Sequence, residues 1–364
     1  MAHGMHVYYN PVLLSVTAPD GLGEGPPSEL LAEQMPHVEG PARIANMASL
    51  LQRSPVTDAL TWHMPTLATE TDLVTFHTAG YLSELKARSD DGGWLTRTTY
   101  LPKGAWPVLC AQAGAALGAV SAVLSGQTKL AYALTRPPSH HAAPDKADGF
   151  CFLNGPALAA ERARSQGCER VAIVDWDVHH GNGTQTGFYA RGDILTISIH
   201  MDHGAWGINH RETGDVDEIG TGPGEGANLN LPLPFGSGDR AYLDVMERCV
   251  VPALERFQPD LILCASGVDA SPFDPTGRNC VTMVGFHRMA MLLAEAAQRL
   301  SGGRVVVTQE GGYHPAHAPF CAYAVVSGLL GRPLELADPL SYYPDDKTRA
   351  RRDVDEMIVR HPLL

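Results

Sequence analysis

Short apolar runs recur along the chain, each closed by Gly, Pro, Asp or His: Leu130 to Leu134, Val171 to Val174, Ile194 to Ile199, Leu261 to Ala265 and Val305 to Thr308. Between several of them lie segments with helical spacing, Gly155 to Arg164, Tyr242 to Phe257 and Gly285 to Leu300. Strand and helix in alternation predict a parallel sheet covered by helices on both faces. The stretch Cys110 to Leu124 comes closest to a membrane span, but it is rich in Ala and Gly and reads as a buried helix of the same fold.

In a sheet of this kind ligands gather at the carboxyl ends of the strands. Four of the runs are followed there by polar residues of catalytic type. These are Arg136-Pro-Pro-Ser-His140-His141, Asp175 to Gly183, Ser266-Gly-Val-Asp269 and Gln309-Glu-Gly-Gly-Tyr313. Asp177 and His179 stand two apart, so on an extended strand end they point the same way. With Asp269 they supply three oxygen and nitrogen donors and no thiolate, the number a catalytic zinc takes while leaving a position for water. Water on such an ion has its pKa lowered to about 7. The tandem His140-His141 is suited to accept its proton and return it to a leaving amine. Asp175 and Asn182 are placed to receive the far-side N–H of these histidines, and a carboxylate raises its partner's pKa more than an amide does. Tyr313, after the pliable Gly311-Gly312, is a candidate donor to the oxyanion of a tetrahedral intermediate.

The 364 residues, without linker, charge block or repeat, point to a single domain over residues 1–364. A net charge of -13 argues against a nucleic-acid surface and is compatible with cationic partners as well as with plain solubility. Seven scattered cysteines with no C-x-x-C read as reduced core thiols of a cytoplasmic protein. The N-terminus lacks a signal-peptide pattern and no membrane span is convincing. Oligomeric state is left open.

Taken together these segments resemble the histone deacetylase superfamily, most closely the bacterial class II histone deacetylase-like amidohydrolases, relatives of the acetylpolyamine amidohydrolases. The matching stretches are Arg136 to His141, Asp148-Gly-Phe-Cys-Phe-Leu-Asn154, Val174 to Gln185, Ser266 to Ala270 and Gln309 to Tyr313, with weaker matches at His37 to Arg43 and Asn228 to Gly238. The resemblance implies the arginase-like α/β fold around an eight-stranded parallel sheet and hydrolysis of an acyl amide. It implies Asp177, His179 and Asp269 as ligands of one Zn2+, with Fe2+ an alternative, His140 and His141 as the acid-base pair, and Tyr313 as the carbonyl-polarising group. Gly149, Phe150, Gly311 and Gly312 would line the substrate channel. A structural K+ would use Asp175, Asp177, His179, Ser198 and Ile199. Two-metal arginases need carboxylates where this chain has Gly181 and Ser271, so one metal is expected.

Two departures bear on substrate. The loop after His200 lacks the family's usual channel Phe, which Trp206 either replaces or does not. The acidic rim residue that clamps peptide backbones in relatives has no clear counterpart in Asp90-Asp91-Gly92-Gly93. Glu212, Asp215, Asp217 and Glu218 are candidates for a subunit contact or for binding a cationic substrate. The first expectation is therefore a zinc amidohydrolase acting on a small acylated amine or amide. A protein-lysine deacetylase acting on acetyl-lysine peptides is the alternative within the fold, and a non-catalytic acyl-group binding protein the alternative outside the class.

Overall fold

The computed structural model describes residues 4–207, 210–211, 213–340 and 347–364. Eight strands form its main sheet: β1 (Met5–Tyr8), β2 (Leu60–His63), β3 (Leu130–Ala133), β4 (Val171–Asp175), β5 (Ile194–Met201), β6 (Asn228–Leu233), β7 (Leu261–Ser266) and β8 (Val305–Gln309). Their spatial order is β6-β5-β4-β7-β8-β3-β1-β2 and every pairing is parallel. The five apolar runs are thus strands, and the five central and near-central ones.

Successive residues of these strands serve opposite faces. Val174, Ile197, Cys264 and Val307 enter the large cluster packed by helices α1 (Pro41–Arg53), α4 (Met283–Leu300) and α5 (Ala318–Leu329). Ile173, Leu263 and Val306 enter the cluster under α2 (Trp106–Leu124) and α3 (Gly155–Ser165). Burial on both sides is what makes the runs predominantly apolar, without a polar face. Helix α2 is long and apolar enough to cross a membrane, yet 78% of it is buried inside the fold. The segment expected as one helix, Tyr242 to Phe257, begins at Asp239 and contains a widened turn at Met246–Val250. That turn precedes Pro252, which has no N–H to continue a regular ladder.

Register aligns the strand ends. Ser198, Asp175, Ala265, Thr308 and Ala133 lie side by side across five neighbouring strands. The loops that follow β4, β7, β8 and β3 therefore leave the sheet at one level, next to one another.

Candidate active site

Those four loops carry the candidate residues. Beyond β4, Asp177 and His179 turn toward Asp269, which follows β7, and one ligand atom from each lies within 4.8 Å of the others. His179 Nδ1 is 3.0 Å from both Asp177 Oδ1 and Asp269 Oδ2. Both carboxylates are fully buried. Backbone amides orient them: Gly311 N–H donates to Asp177 Oδ2 at 2.7 Å and Val178 N–H to Asp269 Oδ1 at 2.9 Å. Burial pushes the Asp269 carboxyl up to about 7, and the charge of Asp177 adds to this. Burial opposes ionisation of Asp177 too, but His140 and His179 hold its carboxyl low. Two carboxylates against one imidazole form an anionic pocket that suits a divalent cation, and oxygen and nitrogen donors without thiolate suit zinc or ferrous iron.

Close packing of backbone leaves no room for bulk here. A Cβ on Gly267 would lie 2.5 Å from Asp177 Cγ, and one on Gly311 would lie 2.6 Å from Asp177 Oδ2. Gly181 is equally crowded, by the carboxylate of Asp175. Ser271 is occupied elsewhere, with Oγ 3.3 Å from His317 Nδ1.

The two histidines of the β3 loop occupy different environments. His140 Nδ1–H donates to Asp175 Oδ2 at 2.8 Å. Burial disfavours its charged form, but Asp175 and Asp177 outweigh burial and push its pKa up to about 10. His141 Nδ1–H donates to Asn182 Oδ1 at 2.8 Å. Burial, reinforced by the charges of His140 and His179, holds its pKa well below the ordinary imidazole value. One histidine is thus a cation paired with a carboxylate, and the other is a neutral ring whose Nε2 is free to accept a proton.

Tyr313 presents its ring edge-on to Phe150, with centroids 5.5 Å apart, and the Arg43 guanidinium lies 5.0 Å above it. Burial raises the phenol's pKa well above its ordinary value, and nearby Asp177 does the same, so it remains a donor. Phe150 adopts φ +67°, a left-handed conformation uncommon for a bulky residue, directly after Gly149 at φ +48°. Gly149 cannot carry a side chain, since a Cβ would lie 2.7 Å from His141 Cγ.

A cavity of about 700 Å3 opens above these groups, lined by His141, His179, Gly149, Phe150, Asn182, Thr276 and Tyr313 and, on its more exposed side, by Glu24 and Arg97. Gly311 and Gly312, expected along this channel, are not among the described lining residues. Gly311 faces the ligand carboxylates, and Gly312 offers its carbonyl to Arg43 Nε at 2.8 Å. Trp206 has its backbone in the short strand Ala205–Gly207, and its side chain lies outside the described residues, as does Glu212. Glu218 is not free for a substrate, because Oε2 accepts from Gln185 Nε2 at 2.6 Å and Gly214 N–H at 2.9 Å. Asp215 and Asp217 are exposed. Asp90 and Asp91 are not among the lining residues of this cavity, whereas Thr96, Arg97 and Thr98 are. Of the residues matched to potassium, Asp175 and Ser198 are register partners, and Ile199 follows on the same buried strand. Asp175 Oδ1 accepts from Asp177 N–H at 3.0 Å, and Ser198 Oγ lies 3.0 Å from His200 Nδ1.

Several supporting residues were not singled out by sequence reasoning. Glu310 is fully buried and holds the histidine loop, accepting from Ser139 N–H at 2.5 Å, Ser139 Oγ–H at 2.7 Å and His140 N–H at 3.1 Å. Asp274 Oδ2 accepts from Tyr313 N–H at 2.6 Å. Arg136 forms a forked pair with Glu39, Nη2 to Oε2 at 2.7 Å and Nε to Oε1 at 3.0 Å. Glu39 in turn lies 3.5 Å from Arg43, which also donates to the Glu310 carbonyl. The signal was present in part, since Glu39, Arg43 and Arg136 sit inside the segments that carry the family resemblance.

A parallel sheet with a carboxylate, imidazole, carboxylate centre and a histidine pair at its carboxyl edge defines a hydrolase site of the deacetylase type. The histone deacetylase domain pattern matches residues 37–329. The chain is 42% identical over 329 residues to histone deacetylase 8 of Arabidopsis thaliana, covering 89% of this chain and 87% of that protein. It is also 42% identical over 306 residues to a histone deacetylase-like amidohydrolase of Pseudomonas aeruginosa, covering 84% and 80%. The crystal structure of the HDA15 HD domain superposes with a TM-score of 0.83 at 30% identity, covering 100% of this chain and 96% of that one. The chain belongs to the histone deacetylase family, whose members are hydrolases of amide bonds.

Proposed function

We propose that the protein is a zinc-dependent amidohydrolase that cleaves the acyl group from a small acylated amine or amide. One observation carries this reading: Asp177, His179 and Asp269 converge beneath a cavity that also holds a neutral imidazole, His141, and a protonated phenol, Tyr313. A dication held by those three ligands supplies Lewis acidity and acidifies water. The crowding at Gly181 and the engagement of Ser271 favour one ion. A structural potassium ion at Asp175, Asp177, His179, Ser198 and Ile199 belongs to the same proposal.

In this mechanism His141 Nε2 takes the proton of the attacking water, with Asn182 fixing the tautomer that leaves that nitrogen unprotonated. The phenol of Tyr313 donates to the oxygen on which negative charge develops. His140, held as a cation by Asp175, keeps positive charge beside that oxygen and favours proton delivery to the leaving amine. The ring of Phe150 forms an apolar wall for the acyl chain. The seven cysteines are free thiols, which fits a reducing, cytoplasmic setting.

The similarity to proteins named histone deacetylases favours protein-lysine deacetylation as the second reading. Both are tested by hydrolysis of acetyl-lysine peptides, acetylpolyamines and small aryl or alkyl amides, with zinc-loaded and chelator-treated protein. Chelator-sensitive release of acid and amine is the expected outcome, with small amides preferred over peptides. A preference for peptides would select the second reading. Absence of turnover with one zinc bound would point to a binding protein.

A further inference from the structure

The mouth of the cavity contains a carboxylate with no assigned task. Glu24 is half-buried in the loop between residues 15 and 40 and lines the same cavity as His141, His179 and Tyr313. Its backbone is held firmly. Leu22 N–H donates to Gly25 O at 3.0 Å, Val38 N–H to Gly23 O at 2.8 Å, and Gly21 and Met35 exchange both backbone hydrogen bonds at 2.8 Å. The turn is thus closed from both sides, and Gly23 supplies its φ of +85°.

Among the described residues the Glu24 carboxylate has no hydrogen-bonded or ion-paired partner. The charged groups that act on it are His179 and Arg278, which favour its ionised form, and Asp274, which opposes it. Burial exceeds all three and raises its pKa, the behaviour of a carboxylate lacking a close countercharge. Arg278 is committed elsewhere, its guanidinium donating to the carbonyls of Pro275 and Gly277. Asp148, the other carboxylate in the wall, accepts from Gly149 N–H at 3.0 Å. Beside the Glu24 turn stands Arg97, which is exposed and lines the same cavity.

We propose that Glu24 determines specificity by receiving an ammonium group at the free end of the acylated substrate, a few carbons from the scissile amide. The proposal rests on the amidohydrolase reading and narrows its substrate class to acylated compounds that retain a cationic amine. Two sources share that chemistry: a mono-acylated diamine or polyamine, and a free acylated diamino acid, whose carboxylate would face Arg97.

The test is steady-state kinetics of the zinc-loaded enzyme on four acetyl amides: N-acetylbutylamine, mono-N-acetyl-1,4-diaminobutane, free Nε-acetyl-lysine, and Nε-acetyl-lysine blocked at both its amine and carboxyl groups. The wild type should prefer an ammonium-bearing member. In Glu24→Gln the ratio of kcat/KM for cationic over neutral substrates should fall about tenfold or more, through KM, with partial recovery in Glu24→Asp. If the diamine derivative ranks first, the source is a polyamine. If free Nε-acetyl-lysine ranks first and Arg97→Gln removes its advantage, the source is an amino acid. An unchanged ratio in Glu24→Gln, or a preference for neutral amides in the wild type, overturns the proposal while leaving the hydrolase reading intact. Should nothing be hydrolysed, calorimetry with 1,4-diaminobutane separates the two. Binding lost in Glu24→Gln upholds ammonium recognition without hydrolysis, and binding that is absent or indifferent to Glu24 overturns it.

Discussion

Gly311→Ala probes how tightly the backbone grips the proposed metal ligands. Gly311 does not need a left-handed conformation, so the substitution acts through one methyl group and not through backbone strain. That methyl would lie 2.6 Å from Asp177 Oδ2 and 2.7 Å from Asp269 Cγ, about an ångström inside ordinary van der Waals contact. Both carboxylates are buried and pinned by backbone N–H groups, so they can retreat only by lengthening those bonds. Overpacking of this kind costs roughly 1–3 kcal/mol. Displacing a ligand from its supporting hydrogen bonds weakens metal binding by about 10- to 100-fold. Zinc affinity is to be measured by competition with a calibrated chelator, and stability by thermal melting with and without zinc. Gly80→Ala is the control, because nothing lies within 4 Å of its Cβ position and the site is helical. It should leave zinc affinity unchanged and add up to about 1 kcal/mol of stability. Zinc affinity within a factor of two of wild type in Gly311→Ala would refute the view that this backbone contact positions the ligands.

Tyr313→Phe should keep its zinc and lose about 10²- to 10³-fold in kcat, since it removes one oxyanion donor. Near-normal turnover would take the phenol out of the mechanism. Asp269→Asn should instead lose the metal, read by elemental analysis of the purified variant. The stability contributed by His77 should fall as pH drops below 6.5 toward 4, because burial lowers its pKa to about 4. In that window the unfolded chain binds the extra proton, and the folded one does not, since His77 donates to Ala143 O and accepts from Asn154 N–H. At about 1.36 kcal/mol per pH unit the loss from this group approaches about 3 kcal/mol. A His77→Gln variant that kept the same acid slope by chemical denaturation would assign it elsewhere.

The strands legible in the sequence were those covered by helices on both faces, where every position is buried and most are apolar. The missed ones lie at the sheet's margins. Met5–Tyr8 and Leu60–His63 are four residues long, and both place histidine among apolar neighbours. Asn228–Leu233 alternates Asn with Leu and contains Pro232, which an edge strand tolerates. The donor triad was legible because its members directly follow strand ends that register brings level. Glu310 was quoted within its motif but its task was hidden, since it acts on Ser139 and His140 from 170 residues or more away. Glu24 stood in a loop with no periodicity, and only the fold of that loop over the cavity gives it meaning. The crowding at Gly311 and Gly312 was hidden for a related reason: a glycine's pliability is visible in sequence, but the group that crowds it is not.

The Glu39–Arg43 segment reaches across 267 to 269 residues to the carbonyls flanking Gly311. During synthesis it emerges long before its counterpart, and the buried guanidinium of Arg43 must wait for carbonyls not yet translated. A nascent chain halted before residue 310 would have the β3, β4 and β7 loops but no phenol and no anchor for Arg43, and would be catalytically inert. Conversely, a fusion or cleavage that disturbs residues 39–43 should act as an active-site lesion, despite lying far from every metal ligand in the sequence.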